Sequence, residues 1–150
     1  MYRRDALLQV GGYDPRFTSY EQADLHLRLT RQMPGGTVIA QRAVVHHRHR
    51  SRWRDYARQQ LSYGSGYAQF YVRYGDELRW TAAEEARAWL ALLPLALRAL
   101  MPGRADAVIR RRGEFVKRGA QRIGFARTFW SRAEAARWQE PAPASTEADA

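Results

Sequence analysis

Two carboxylates, Glu21 and Asp24, stand three residues apart at the start of a helical pattern, which puts them on one helix face. A carboxylate so placed accepts a proton from a substrate hydroxyl as a general base. The same charges would equally stabilise the positive end of the helix dipole, and Asp24 has Arg28 four residues on as an ordinary ion-pair partner. Further along, His46, His47 and His49 are interleaved with Arg48 and Arg50. On a strand, His47 and His49 share a face and His46 lies opposite. Neutral imidazole binds metals. The adjacent guanidinium groups oppose a cation and suit phosphate oxygens. A third candidate is Tyr63-Gly64-Ser65-Gly66, whose glycines let backbone approach either a ligand or a neighbouring helix.

These residues need elements to hold them. Arg3–Val10 reads as a short helix stopped by Gly11-Gly12, and Glu21–Met33 as a second, ended by Pro34-Gly35-Gly36. Thr37–His46 is rich in β-branched residues and is the strand candidate, as one strand or as two broken near Arg42. Ser51–Tyr74 repeats Trp53, Tyr56, Ala57, Gln60, Leu61, Gly64, Ala68 and Tyr71 at helical spacing. Thr81 with Glu84 forms a capping box for a helix over Ala82–Met101, which Pro94 should kink. Arg104–Trp138 continues as a basic helix with an apolar stripe of Val108, Phe115, Ile123 and Trp130, weakened by Gly113, Gly119 and Gly124. Residues 140–150 are acidic and rich in Pro, Ala and Ser, the composition of a disordered tail.

Composition narrows the function classes. With no cysteine, disulfides, thiolate metal sites and a cysteine nucleophile are excluded. Twenty-five Lys+Arg against fifteen Asp+Glu give a net charge of +10, which favours anionic partners. Lys117 is the only lysine. Arginine forks onto phosphate oxygens, although a GC-rich genome produces the same bias. The most apolar window, Ala88–Leu97, holds Pro94 and falls well short of the roughly 20 residues that a spanning helix needs.

Three stretches in fixed order resemble the second half of the catalytic domain of family 2 glycosyltransferases. They are Tyr2-Arg3-Arg4-Asp5-Ala6-Leu7 through Val10-Gly11-Gly12-Tyr13-Asp14, then Glu21-Gln22-Ala23-Asp24-Leu25 through Leu29, then Ala43-Val44-Val45 with His47 through Arg50. Gln60 through Gly66 adds a segment similar to one in some bacterial members. The resemblance implies part of a GT-A half with one or two short strands over residues 1–75; with the helical extension that the residue pattern gives over 76–139, the expected architecture is an α-rich α/β one. The resemblance also implies transfer of a sugar from a nucleotide-sugar to an envelope glycan or lipid-linked acceptor. Its acidic helix head supplies the base, so Glu21, Gln22 and Asp24 are the catalytic positions. Gln22 occupies the position of the family's aspartate, and an amide cannot take a proton at neutral pH. Either Glu21 or Asp24 substitutes, or the chemistry is lost. The resemblance further places Arg28, Arg48, Arg50, Gln60 and Tyr63 at the substrate and His47 at a divalent metal, magnesium or manganese, in the intact enzyme.

The 150 residues hold no D-x-D motif and no nucleotide-binding segment. The expectation is therefore a fragment, inactive and metal-free alone, that works with a separate donor-binding chain, either free in the cytoplasm or peripheral on the inner membrane face. The alternative is a small basic protein on an anionic membrane surface or nucleic acid. Nucleic acid is the weaker version, because no helix-turn-helix, zinc-finger or RNP pattern is present.

Overall fold

A computed structural model describes residues 2–33, 42, 44, 46, 52–78 and 81–131. Their order is α1 (Arg4–Gln9), α2 (Glu21–Gln32), α3 (Trp53–Leu78), α4 (Ala82–Leu90), α5 (Leu92–Leu100) and α6 (Ala105–Phe129). Among the described residues there is no strand. The expected α/β architecture, a partial GT-A half with strands, is thereby corrected: these residues bury their apolar surface helix against helix. The strand candidate Thr37–His46 lies outside the described residues except for Arg42, Val44 and His46, and none of those three is in a strand.

The centre of the fold is α3 against α6. Ala68, Tyr71 and Phe125 are buried there, with Tyr67 and Phe129 packed around them. Phe125 is in ring contact with Tyr67 and Tyr71 and stacks on Phe129 at 5.2 Å between centroids. Two glycines make the approach possible. A Cβ on Gly64 would overlap the Gln121 carbonyl, and one on Gly124 would overlap the Leu61 carbonyl. The glycines that weaken each helix in isolation are the ones that let the two backbones meet. Gly113 and Gly119 have no such role: a Cβ on Gly119 would meet nothing within 4 Å.

Pro94 acts as expected but three residues upstream. It cannot donate to the Leu90 carbonyl and its ring crowds that oxygen, so the helix divides at Ala91 into α4 and α5. The Thr81–Glu84 capping box is present, with Glu84 N donating to Thr81 Oγ1 at 3.2 Å. Helix α4 is pinned to α6 by Arg122 on Glu85 at 2.7 Å.

Helices α1 and α2 share a small core of Ala6, Leu25 and Leu29. What holds this pair to α3 is polar. Asp24, fully buried, accepts from Arg28 Nε and Nη2 at 2.9 and 2.7 Å and from the Tyr74 hydroxyl at 2.6 Å. Arg28 also donates to the carbonyls of Val10 and Gly12, where the diglycine turn takes positive φ. Arg73 of α3 bonds Asp14 and lies 3.6 Å from Asp24. Burial pushes the Asp14 carboxyl up, but bonds from Arg16 and Arg73 outweigh it and hold the group well below the usual carboxylate range. Burial, then the bond to Asp24, pushes the Tyr74 phenol up to about 12. Tyr20, at φ 68°, caps α2 in the left-handed region, with its ring 5.4 Å from Tyr67 and 6.2 Å from Phe70. Such a backbone costs on the order of 1 kcal/mol or more, which the ring contacts offset.

Two stability measurements follow from this packing. Gly124→Ala should destabilise by about 1–3 kcal/mol in urea unfolding, the usual cost of overpacking, while Gly119→Ala should stabilise by up to about 1 kcal/mol. Equal effects would mean that the α3–α6 approach is not set by glycine. The second concerns pH. Tyr74 has a folded pKa above its unfolded value of 10.0, so its contribution is complete below pH 10 and is lost as pH rises through about 12. The loss is on the order of 2 kcal/mol. Tyr74→Phe should be less stable than the parent at pH 7, and the gap should narrow between pH 10 and 12; a constant gap would show that the phenol proton is not held by the fold.

Candidate functional site

The head of α2 and the first half of α3 enclose a cleft of about 470 Å³, lined by Thr18, Ser19, Glu21, Asp55, Arg58, Gln59, Ser62 and Tyr63. Ser19 closes its floor by donating from Oγ to the Ser62 carbonyl at 2.8 Å. The loop before α2 lies directly on α3 at this point, because a Cβ on Gly66 would overlap Ser19. Thr18 is fixed from the other side, its N–H donating to Gln69 Oε1 at 3.0 Å. The cleft is therefore framed by a loop and a helix that are both tied down.

Glu21 is the first residue of α2, and its carboxylate makes no hydrogen bond or ion pair among the described residues. On the opposing wall, Gln59 Nε2 donates to the Tyr63 hydroxyl at 3.1 Å, and Arg58 lies 3.7 Å from Asp55. A free carboxylate, a phenol, an amide and a guanidinium around one cavity form a lining suited to a polyhydroxyl ligand. Carboxylate and amide accept from hydroxyls, and guanidinium and amide donate to them.

The residues expected from sequence divide into four groups. Glu21 and Tyr63 come together in the cleft. Asp24, Arg28 and Gln60 are engaged elsewhere: Asp24 and Arg28 with each other and with Tyr74 and backbone, and Gln60 as acceptor for Gln121 Nε2 at 2.8 Å. Asp24 has no exposed surface from which to reach a substrate. Gln22 is exposed and does not line the cleft. His47, Arg48 and Arg50 lie outside the described residues. Among the described residues, no group of three or more His, Cys, Asp or Glu is placed to hold a metal ion.

The other six lining residues, Thr18, Ser19, Asp55, Arg58, Gln59 and Ser62, were not expected from sequence; the four on α3 share one face. Their signal was present: positions 55, 58, 59, 62 and 63 recur at helical spacing and are all polar or amphipathic. The resemblance pointed instead to Gln60, which is one residue from Gln59 and faces α6. No protein-family model, no curated protein and no solved structure matches this chain.

Proposed function

We propose that this chain supplies the acceptor-side wall of a glycosyl-transfer site and works with a donor-binding part that these 150 residues do not contain. The observation that carries the reading is the unpaired Glu21 carboxylate at the head of α2, in a cleft otherwise lined by groups that bond hydroxyls. The order of motifs along the sequence, similar to that of family 2 glycosyltransferases, supports it. In this reading Glu21 is the base, in place of Gln22. As the acceptor oxygen attacks the anomeric carbon, its proton passes to Glu21. The bond from that carbon to the diphosphate breaks, and its electron pair leaves with the nucleoside diphosphate. Tyr63 and Gln59 orient the acceptor, and Asp24 holds the helix that carries Glu21.

Two measurements test this. Calorimetry of the isolated chain with uridine, guanosine and thymidine diphosphate-sugars should show no binding tighter than roughly 100 μM, about 5.5 kcal/mol; tighter binding would place a donor site within the chain. When the chain is fused behind the donor-binding half of a family 2 enzyme, Glu21→Gln should lower transfer by about 10²–10⁴-fold, the usual contribution of a general base. Gln22→Asp should restore part of that loss, and Asp24→Asn should act mainly through a lowered unfolding temperature. Full activity in a Glu21→Gln fusion would remove Glu21 from the chemistry.

A further inference from the structure

The sequence placed a membrane-facing stripe on α6. The structure uses much of α6 otherwise. Ala120, Gly124 and Phe125 are buried against α3, Val108 and Phe115 are half-buried, and α5 packs along the same helix. Ile109, Ile123 and Trp130 remain exposed on and just after α6, but the exposed apolar side chains that fall on one face of a single helix are on α5. Leu93 is 65% exposed, Leu97 68% and Leu100 79%, with Leu90 and Met101 exposed at either end. At 100° per residue Leu93, Leu97 and Leu100 fall within an arc of about 60°, so they form one ridge. Ala99 on the other side of α5 is buried. This is a helix that keeps its small residue inside and its leucines outside, against the usual rule.

Positive charge borders the ridge. Arg98 lies between it and a groove of about 720 Å³ shared by α5 and α6, whose lining includes Leu95, Arg110, Arg111 and Lys117. Neither Arg98 nor Lys117 makes a side-chain hydrogen bond or close ion pair among the described residues, although Lys117 helps Arg118 to lower the pKa of Glu114. Arg111 donates to the Met101 and Pro102 carbonyls, while its Nε is buried without a partner. The single carboxylate in the groove, Glu114, is already paired with Arg118 at 2.6 Å. No helix among the described residues is long and apolar enough to cross a membrane, and the nine residues of α5 span less than half a bilayer.

We infer that the leucine ridge of α5 docks in the plane of an anionic lipid surface, with Arg98 and Lys117 meeting the headgroup phosphates, while Arg110 is held by Asp106 at 3.3 Å. Two terms act together: apolar side chains enter the acyl boundary, and cations beside them meet negative charge. Charge complementarity selects this occupant. A second copy of the chain would bring a like net charge of +10 against the same basic rim.

The test uses the purified chain and vesicles of phosphatidylcholine with or without phosphatidylglycerol. Flotation should show binding at least roughly tenfold stronger to the anionic vesicles, weakening with added salt as the screening length contracts from about 8 Å. The double variant Leu93→Ser/Leu97→Ser, at exposed positions, should lose roughly tenfold or more of that binding with unchanged circular dichroism. Arg98→Gln/Lys117→Gln should lose the preference for phosphatidylglycerol. Ile123→Ser, on exposed α6 surface, should bind as the parent does. Equal binding to neutral vesicles, none to anionic ones, or full binding by the leucine variant would each overturn the proposal. So would a dimer in analytical ultracentrifugation that the leucine variant dissolves, because the ridge would then belong to a second copy.

Discussion

The buried carboxylate of Asp24 is the constraint on which the arrangement around the cleft depends. A charge with no solvent contact has to be neutralised in place, and here the partners come from three directions. Arg28 arrives from the next turn of the same helix, Tyr74 from the kink in α3, and Arg73 from beside it. Arg28 is in turn fixed by the carbonyls of the diglycine turn, and Arg73 by Asp14. One ionised group thus determines how α1, the turn, α2 and α3 sit together. The apolar core of α1 and α2 is only a few residues, too small to fix that geometry by burial alone.

This assignment decides which acid is available for chemistry. Glu21 and Asp24 were equivalent in sequence, two carboxylates on one helix face. Three residues of helix separate a group at the mouth of a cleft from one sealed beneath it. The interior position commits Asp24 to structure, since any movement toward a ligand would leave Arg28 and Tyr74 without their acceptor. The half-buried position leaves the Glu21 carboxylate with no competing partner among the described residues. The same network gives Glu21 a fixed place, because the helix that carries it is clamped one turn further in.

The helices were legible in sequence because their signals are local. The capping box at Thr81, the glycine pair after α1 and the apolar repeat of α3 each depend on residues within a few positions. The architecture was less legible. Gly64 and Gly124 are 60 positions apart, and nothing local distinguishes a helix-breaking glycine from one that accepts a neighbour's carbonyl. The resemblance carried the expectation of strands, yet the described residues complete their core with α6. Two of the eight residues that line the cleft, Glu21 and Tyr63, were readable. The rest were not, because Gln59 and Gln60 differ only in which side of α3 they occupy, and that is decided by where α6 packs.

The surplus of arginine resolves along the same lines. A net charge of +10 suggests one broad surface for anions, but the side chains do three different things. Arg16, Arg28 and Arg73 are consumed around Asp14 and Asp24. Arg111, Arg112 and Arg122 brace α6, the first two on carbonyls of the α5 end and the third on Glu85. Guanidinium suits both tasks, because its planar fork bonds two acceptors at once where an ammonium would act as a point charge. Beside α5, Arg98 and Lys117 stand next to the leucines that the fold leaves exposed. The charge that matters for binding is therefore local, and its position beside an apolar ridge gives it a direction.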